Sequence, residues 1–221
     1  MKYNIISSSS KGNCIIIENF LALDIGISYI KIKPYLKNIK LIFISHVHLD
    51  HLKPTTIKHI AYNYPTIKYI TSSKEVVNKL VQSGVNKKNI YILKEGIRYD
   101  LGLLKVRTVN LFHDVENYGL KWEINNKKGI YLVDTNQVEH IVAEDYDLYL
   151  IENNYNEELL EQHIQECINN NDSEDKLFYL NRVKLTHLSS SKCNDFLINN
   201  MGVNSEYCYI HKSNFNYKEE K

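Results

Sequence analysis

Three histidines and an aspartate lie within six consecutive residues of this 221-residue chain, directly after the apolar run Leu41–Ile44. The segment reads His46-Val47-His48-Leu49-Asp50-His51. Imidazole nitrogens and carboxylate oxygens are ligands that zinc and related divalent ions take in proteins. A buried strand gives the following loop a rigid base, so these side chains can converge on one point. The spacing therefore favours a metal site over a solvated polar loop.

Short apolar, β-branched runs alternate with amphipathic segments along the chain and indicate strands and helices. The predicted strands are Ile15–Ile17, Leu21–Ile25, Leu41–Ile44, Ile90–Leu93, Leu103–Val109, Ile130–Val133 and Asp147–Ile151. The predicted helices are Ser28–Leu36, in which Pro34 can introduce a break, Pro54–Tyr62, Lys74–Gln82, Glu157–Asn169 and Ser190–Asn199. A polar surface loop is predicted at 169–175. This order favours an α+β fold of two sheets covered by helices, in a single domain over residues 1–221.

The chain is close to electrically neutral, since 27 Lys and Arg residues against 26 Asp and Glu residues leave a net charge of +1. Its composition, 43% apolar and 24% charged, is typical of a globular protein. No apolar run reaches the roughly 20 residues of a membrane span. The N-terminus lacks a signal-peptide pattern, which predicts a cytoplasmic location. The four cysteines are scattered, which predicts neither a disulfide scaffold nor a thiolate metal site.

Three further residues follow strand-like runs downstream of the histidine-rich loop: His113, Asp134 and His211. Together with the His-x-His-x-Asp-His loop, and in this order, they resemble the signature of the metallo-β-lactamase superfamily. The resemblance implies a four-layer αββα sandwich with two divalent metal ions, and a donor set of His and Asp favours zinc or manganese. It also implies that Asp134 bridges both ions. The other ligands that it implies are His46, His48 and His113 for one ion, and Asp50, His51 and His211 for the second.

Within that superfamily the chain resembles the YycJ/WalJ-type hydrolases and, more distantly, tRNase Z. The strings that carry this resemblance are Ser7–Cys14, Leu23–Ser28, His113–Gly119, Glu152–Tyr155 and Thr186–Ser189. The chain has no Gly- and Pro-rich insertion like the tRNA-gripping arm of tRNase Z, which disfavours processing of tRNA. The YycJ/WalJ resemblance implies a 5′ to 3′ DNA exonuclease.

His187 competes with His211 for the role of last metal ligand, because the string Lys212-Ser213-Asn214 departs from the Leu-Ser string usual in the group. His211 lies 24 residues after His187. A similar interval in tRNase Z separates the histidine that acts on the leaving group from the last ligand. We therefore assign His211 to the metal and His187, oriented by Glu152, to leaving-group chemistry. The alternative for His187 is a polar residue just ahead of a helix.

These assignments predict a dinuclear metal-dependent phosphodiester hydrolase that acts on DNA or a nucleotide, with catalytic roles for Asp50, His187 and Glu152. The neutral charge argues against an extended nucleic-acid footprint. A cyclic-nucleotide phosphodiesterase, encoded by a phage against host defence signalling, is therefore one alternative. A thioesterase of the glyoxalase II type and a non-catalytic metal-binding protein are the others.

The sequence predicts no membrane partner and leaves the oligomeric state open, a homodimer included. The remaining histidines, predicted to be surface residues, are His59, His140 and His163.

Overall fold

The structure, a computed structural model, describes residues 1–212. Ser213, Asn214 and the rest of the chain to the end of the predicted domain lie outside the described residues. The described strands form two six-stranded sheets, each with parallel and antiparallel pairs. No helix in the described part of the chain is long and apolar enough to cross a bilayer.

The first sheet contains the N-terminal half of the strands in their chain order. Its first three strands pair antiparallel, and the last four pair parallel. The strands are β1 (Tyr3–Ser7), β2 (Cys14–Ile17), β3 (Leu21–Leu23), β4 (Leu41–Phe43), β5 (Lys68–Thr71) and β6 (Ile90–Ile92).

The second sheet has the order β12-β11-β10-β9-β8-β7. Strands β7 to β10 form an antiparallel meander, and β10, β11 and β12 are parallel. The strands are β7 (Tyr99–Asp100), β8 (Lys105–Leu111), β9 (Asn117–Ile124), β10 (Lys127–Leu132), β11 (Leu148–Glu152) and β12 (Glu206–Ile210).

Helices cover the outer faces of both sheets. Helices α1, α2 and α3 pack on the first sheet, and α6 packs on the second. Helices α4 and α5 form a smaller apolar cluster of their own. The helices are α1 (Tyr29–Ile32), α2 (Pro54–Asn63), α3 (Lys74–Gln82), α4 (Glu157–Asn169), α5 (Glu174–Thr186) and α6 (Ser190–Asn200).

The main core lies between the two sheets, and alternate residues of one strand serve different layers. Ile15 and Ile17 face the second sheet, whereas Ile16 faces the helices. Strands buried on both faces are nearly continuous in apolar residues, which is why the sequence shows them so clearly. The predicted four-layer sandwich of two sheets between helices is confirmed.

The prediction was incomplete at two long elements, β9 and α5. Strand β9 contains Gly119, a weak strand former, at a point where a Cβ atom would lie 2.7 Å from a backbone oxygen of β10. Helix α5 exposes Phe178 and Leu185, which blurs its amphipathic period. Its first residue is Glu174, because the Ser173 side chain accepts a hydrogen bond from a backbone N–H of the first turn. The predicted loop 169–175 was therefore wrong at its C-terminal end, where α5 begins at Glu174.

Smaller differences concern the edges of elements. The strand predicted at Leu103–Val109 begins and ends two residues later, because Asp100 Oδ1 accepts a hydrogen bond from the backbone N–H of Gly102 and closes a turn ahead of it. Strands β1, β5 and β7 were not predicted. Pro34 breaks the first predicted helix as expected, and a 3₁₀ turn at Lys33–Tyr35 follows α1.

Candidate metal centre

The candidate site residues follow the carboxyl ends of strands from both sheets. The first sheet contributes Asp24 after β3 and the histidine-rich loop after β4. The second contributes four side chains at or just beyond strand ends: His113 after β8, Asp134 after β10, Glu152 at the end of β11 and His211 after β12. Because these strand ends meet at one edge of the sandwich, residues as distant in the chain as His51 and His211 become neighbours.

The first ligand group contains His46, His48, His113 and Asp134. His48 Nδ1 lies 3.2 Å from His46 Nε2 and 3.3 Å from His113 Nε2. Asp134 Oδ2 lies 3.4 Å from His46 Nε2 and 4.0 Å from His113 Nε2. Four ligands at the tetrahedral corners around a zinc ion lie about 3.3 Å from one another. The spacing of these four atoms therefore fits one divalent ion.

The second ligand group contains Asp50, His51, His211 and, again, Asp134. His51 Nε2 lies 3.3 Å from Asp50 Oδ2 and 3.0 Å from Asp134 Oδ2. His211 Nε2 lies 3.0 Å from Asp134 Oδ1. Asp134 Oδ2 thus faces a histidine of each group, and the Asp134 carboxylate lies between the two groups. The geometry fits a second ion that shares this carboxylate with the first.

Asp134 provides a direct test of whether the site suits cations. Its side chain is 3% exposed, and the nearest nitrogens to its Oδ1 atom are His211 Nε2 at 3.0 Å and His187 Nδ1 at 3.4 Å, neither of which makes a well-aligned hydrogen bond to it. A buried carboxylate is costly unless positive charge and well-aligned donors surround it. Two divalent cations would supply that charge, and the surrounding imidazoles supply the remaining ligands. The residues present therefore fit a dinuclear metal centre.

The electrostatic state of the ligands agrees with metal binding. Burial lowers the pKa of His46 and of His113, so both rings are neutral at pH 7 and have a free nitrogen lone pair. Burial alone would raise the pKa of Asp134, but the nearby His211 and His51 hold it well below its usual range. Burial would likewise raise the pKa of Asp50, yet its hydrogen bond and charge interaction with His51 lower it. Both carboxylates are therefore ionised.

A buried carboxylate, Asp24, orients His51 from behind. Asp24 Oδ2 lies 2.7 Å from His51 Nδ1, which directs Nε2 of that ring toward the second ligand group. Asp24 also accepts hydrogen bonds from the Ser45 hydroxyl at 2.9 Å and from the Tyr131 hydroxyl at 2.8 Å. Such an outer carboxylate fixes the tautomer and orientation of a metal-binding histidine. No sequence pattern pointed to this role, because Asp24 lies 27 residues before His51 in the chain.

Asn13 supports the second group from the Ser7–Cys14 string. Its backbone N–H donates to the Asp50 carbonyl oxygen at 2.7 Å, and its Oδ1 lies 3.3 Å from His211 Nδ1. Gly26 lies on the other side of the same backbone, where a Cβ atom would be only 1.6 Å from the Asp50 carbonyl oxygen. A residue with a side chain at position 26 would therefore displace the histidine-rich loop. The string acts as a support for the loop as well as a turn.

Three of the site residues have left-handed backbone conformations, namely Asp24 (φ 58°), Asp134 (φ 51°) and His211 (φ 50°). This region is uncommon for residues other than glycine, and such strain is concentrated at functional sites. Each of the three follows a strand end, where the turn aims the side chain across the edge of the sandwich. Sequence periodicity gives no signal for this feature.

His187 lies directly after α5, next to both ligand groups. Its Nδ1 is 2.7 Å from Glu152 Oε1 and 3.4 Å from Asp134 Oδ1, and its ring stacks on that of His211 at 5.4 Å. Burial alone would lower the pKa of His187, but the charges of Glu152 and Asp134 raise it to about 10. Glu152 is fully buried and also accepts a hydrogen bond from the Thr135 backbone N–H. The predicted contact between His187 and Glu152 is thus present in the structure.

Asp114 and Arg182 form an ion pair at the mouth of the site that the sequence analysis did not identify. Asp114 Oδ1 lies 3.0 Å from His113 Nε2 and 3.5 Å from His48 Nε2, and Asp114 Oδ2 accepts a hydrogen bond from Arg182 Nη2. Arg182 belongs to α5, the helix that periodicity did not reveal.

The structure places the three histidines predicted to be surface residues outside both ligand groups: His59 and His140 are exposed and His163 is half-buried.

No protein-family model and no curated protein sequence matches the chain. Its structure is similar to that of the metallo-β-lactamase fold protein YhfI from Bacillus subtilis, with a TM-score of 0.71 and 14% identity over 97% of this chain and 87% of that one. Human tRNase Z, short form, matches with a TM-score of 0.66 and 12% identity over 96% of this chain and 93% of that one.

Zn²⁺-bound PqqB from Methylobacterium extorquens matches with a TM-score of 0.64 and 10% identity, over 98% of this chain and 90% of that one. Sequence identities this low show a common fold and give no information about the substrate. The chain therefore has the metallo-β-lactamase fold, and its buried His and Asp clusters are consistent with the dinuclear metal site typical of that fold.

Proposed function

We propose that this protein is a dinuclear metal-dependent hydrolase of phosphodiesters, acting on nucleic acid or nucleotides. The observation that carries the proposal is the His187–Glu152 pair beside the Asp134 carboxylate, with 2.7 Å between His187 Nδ1 and Glu152 Oε1. A histidine oriented in this way can protonate a leaving oxygen next to the metal centre.

The two ligand groups would hold the ions, with zinc and manganese both compatible with the donor set. When bound, such a pair of ions activates a water molecule and stabilises the charge that develops on a phosphate. Asp50 is the most exposed carboxylate of the second group, at 23% of its side chain. It can therefore orient a water molecule from the open side of the site in addition to its role as a ligand.

His187 would act as the general acid. Its Nδ1 faces Glu152, and its Nε2 has no hydrogen-bond partner among residues 1–212. In the metal-free chain, Glu152 and Asp134 raise the pKa of His187 to about 10, so the ring carries a proton at neutral pH, and 17% of the side chain is exposed. His187 thus holds a transferable proton that a bound substrate can reach. The alkoxide released from a phosphodiester is a poor leaving group, so protonation of its oxygen accelerates the reaction.

Arg182 supports a phosphate-containing substrate. Its guanidinium group is held at the mouth of the site by Asp114, which in turn lies 3.0 Å from His113 Nε2. Arginine binds phosphate oxygens through paired hydrogen bonds. The scissile group of a thioester or lactam has no anionic oxygens of its own. Hydrolysis of a thioester also depends less on a general acid, because a thiolate leaves without prior protonation.

The proposal is tested by activity measurements on protein loaded with zinc or with manganese. We expect cleavage of bis(p-nitrophenyl) phosphate and of either single-stranded DNA or a cyclic mononucleotide, in excess of any cleavage of a glutathione thioester or a β-lactam. His187→Ala should lower kcat on DNA or the cyclic nucleotide roughly 10²- to 10⁴-fold with two metal ions still bound. His140→Ala, which changes an exposed histidine, is the matched control.

Two results would contradict the proposal. One is that the metal-loaded protein cleaves thioesters or lactams but no phosphodiester. The other is that His187→Ala retains full activity on DNA and cyclic nucleotides, which would remove the general-acid role. Comparison of single-stranded DNA, duplex DNA and cyclic mononucleotides identifies the preferred substrate class.

A further inference from the structure

A basic pocket lies on the outer face of the second sheet, away from the metal centre. It is a concavity of about 200 Å³. Five cationic side chains line it against a single carboxylate, Glu123. The cationic residues, with the aromatic residue beside them, are Arg98, Lys105, Arg107, Lys121, Lys128 and Tyr146. Because the chain as a whole has a net charge of only +1, this local excess of positive charge is not a reflection of overall composition.

The sheet register places like charges directly opposite each other in this pocket. Arg107 of β8 pairs with Lys121 of β9, so both side chains project from the same face. Like charges at directly opposite positions of an antiparallel pair destabilise a sheet. In the next row, Lys105 and Lys128 both pair with Glu123.

The one carboxylate of the pocket is already engaged. Glu123 accepts hydrogen bonds from Arg98 at 2.7 Å and from Lys105 at 3.3 Å. Arg107 forms no ion pair within residues 1–212. Lys121 Nζ donates to the Val142 carbonyl oxygen at 2.7 Å, and burial together with Arg107 lowers its pKa. The charges of Arg107 and Lys121 are therefore not neutralised by the protein itself.

The pocket is separated from the metal centre along β10. Apolar residues at the carboxyl end of this strand, such as Leu132, pack under α6. Lys128 lies near the other end, six residues before Asp134, which corresponds to roughly 20 Å at 3.3 Å per residue. A ligand in the basic pocket would therefore not contact the two ligand groups of the metal centre directly.

We propose that the basic pocket is a binding site for a phosphate group, belonging to a nucleotide or to a nucleic-acid strand. Arg107 and Lys121 would share the phosphate oxygens, which converts their mutual repulsion into attraction to one anion. The volume is below the roughly 300 Å³ of sites that enclose a whole small molecule. The pocket therefore takes the phosphate and leaves the rest of the ligand outside. This site is independent of the proposed hydrolysis.

The only tryptophan of the chain, Trp122, lies between Lys121 and Glu123 on β9 with its ring in the core beneath the pocket, and it provides a nearby readout. We would titrate metal-loaded protein with inorganic phosphate, pyrophosphate and a short single-stranded oligonucleotide with hydrolysis-resistant phosphorothioate linkages, and follow tryptophan fluorescence together with the heat of binding by calorimetry. Phosphate bound at the metal centre lies too far away to dominate this signal. We expect saturable binding that the double substitution Arg107→Gln with Lys121→Gln weakens at least tenfold. The matched control changes two exposed lysines outside the pocket, Lys87→Gln with Lys127→Gln, and should bind as the wild type does.

The three probes distinguish the two sources of phosphate. Oligonucleotide binding at least tenfold tighter than pyrophosphate binding would identify a nucleic-acid strand, and equal or weaker binding would identify a free nucleotide phosphate. Melting curves without phosphate check folding, and the double variant should melt at the same or a higher temperature because a like-charge pair is removed. Should it fail to fold, Arg107→Gln alone replaces it.

The absence of both a fluorescence response and a heat of binding for all three probes at millimolar concentration would overturn the proposal, as would unchanged binding in the double variant. Hydrolysis of bis(p-nitrophenyl) phosphate is measured in parallel and should be the same in wild type and double variant. A failure of the phosphate site is thereby distinguished from a failure of the proposed hydrolase function.

Discussion

The two ligand groups share Asp134 but differ in what surrounds them. The second group is buried, apart from Asp50, and His51 is held from behind by the fully buried Asp24. The first group lies nearer the surface, where the side chains of His48 and Asp114 are 31% and 33% exposed. Behind the second group the protein provides a charged, hydrogen-bonded framework, whereas beside the first it provides an ion pair at the mouth of the site.

The protonation of the histidines reflects this difference. Burial alone would lower the pKa of His51, but Asp134 and Asp24 hold it well above its usual range. Burial lowers the pKa of His46 and of His113 in the first group. Without metal, His51 therefore belongs to an ion-paired cluster, whereas His46 and His113 are neutral. We infer that the protein fixes the geometry of the second group in advance, while the first group depends more on its ion.

Removal of the shared carboxylate should have the largest effect. In Asp134→Asn, His51 and His211 lose a buried countercharge, and both ions lose a ligand. We expect fewer than one metal ion per chain by elemental analysis and a fall in hydrolysis of roughly 10⁴-fold, or about 5.5 kcal/mol of transition-state stabilisation. Breaking a buried ion pair on one side also costs about 3–5 kcal/mol of stability, which thermal melting measures.

The control for this substitution is Asp145→Asn, at an exposed aspartate that also has a left-handed backbone, with φ of 54°. It should bind two ions and melt as the wild type does. Retention of both ions by Asp134→Asn would show that the two groups are independent sites. Asp134 would then not be a ligand that they share.

The second largest effect should come from Asp24→Asn, which acts on one group only. An amide cannot accept all the hydrogen bonds that the Asp24 carboxylate accepts, so the orientation of His51 is lost. The ion of the second group should bind 10- to 100-fold more weakly, as for other outer-shell carboxylates. Stepwise removal of metal by a chelator should show one weakened and one unchanged ion. Equal weakening of both would contradict the distinction between the groups.

Sequence reasoning found the parts of the site that are local in the chain. The loop from His46 to His51 is contiguous, so its chemistry is visible without a fold. His113, Asp134 and His211 were located only because their order and strand contexts resemble a known superfamily. The left-handed turns that aim Asp134 and His211 into the site follow from tertiary packing, which overrides local preference at these positions.

The parts that were missed depend on pairs that are distant in the chain. Asp24 supports His51 from 27 residues away, and Asn13 contacts His211 from 198 residues away. Arg182 belongs to a helix whose exposed apolar residues conceal its period. The fully buried strands β2, β3, β4 and β11 were predicted, because their apolar runs need no partner to be recognised, whereas β5, which begins at Lys68, was missed.

A smaller effect is expected at the first group from Asp114→Asn. The pair formed by Asp114 and Arg182 is about one-third exposed, and exposed ion pairs contribute about 1 kcal/mol or less. The affinity of the ion in the first group should therefore fall less than about fivefold, measured by the same chelator competition. A loss as large as that in Asp24→Asn would show that the first group too relies on an outer carboxylate, and the contrast between the groups would disappear.

The last effect is the pH dependence of stability in metal-free protein, where His187 and the histidines of the first group act in opposite directions. The pKa of His187 is about 10 in the folded chain and 6.5 in the unfolded chain, because Glu152 and Asp134 outweigh the effect of burial. Its stabilisation is complete below pH 6.5 and is lost as the pH rises toward 10. The lowered pKa of His46 and of His113 removes stability as the pH falls below 6.5 instead. Thermal melting of wild type and of His187→Gln should therefore differ by a few degrees at pH 7 and converge near pH 10, whereas His113→Gln should flatten only the acid side. Convergence at acid pH for His187→Gln would show that Glu152 and Asp134 do not hold the proton on this ring.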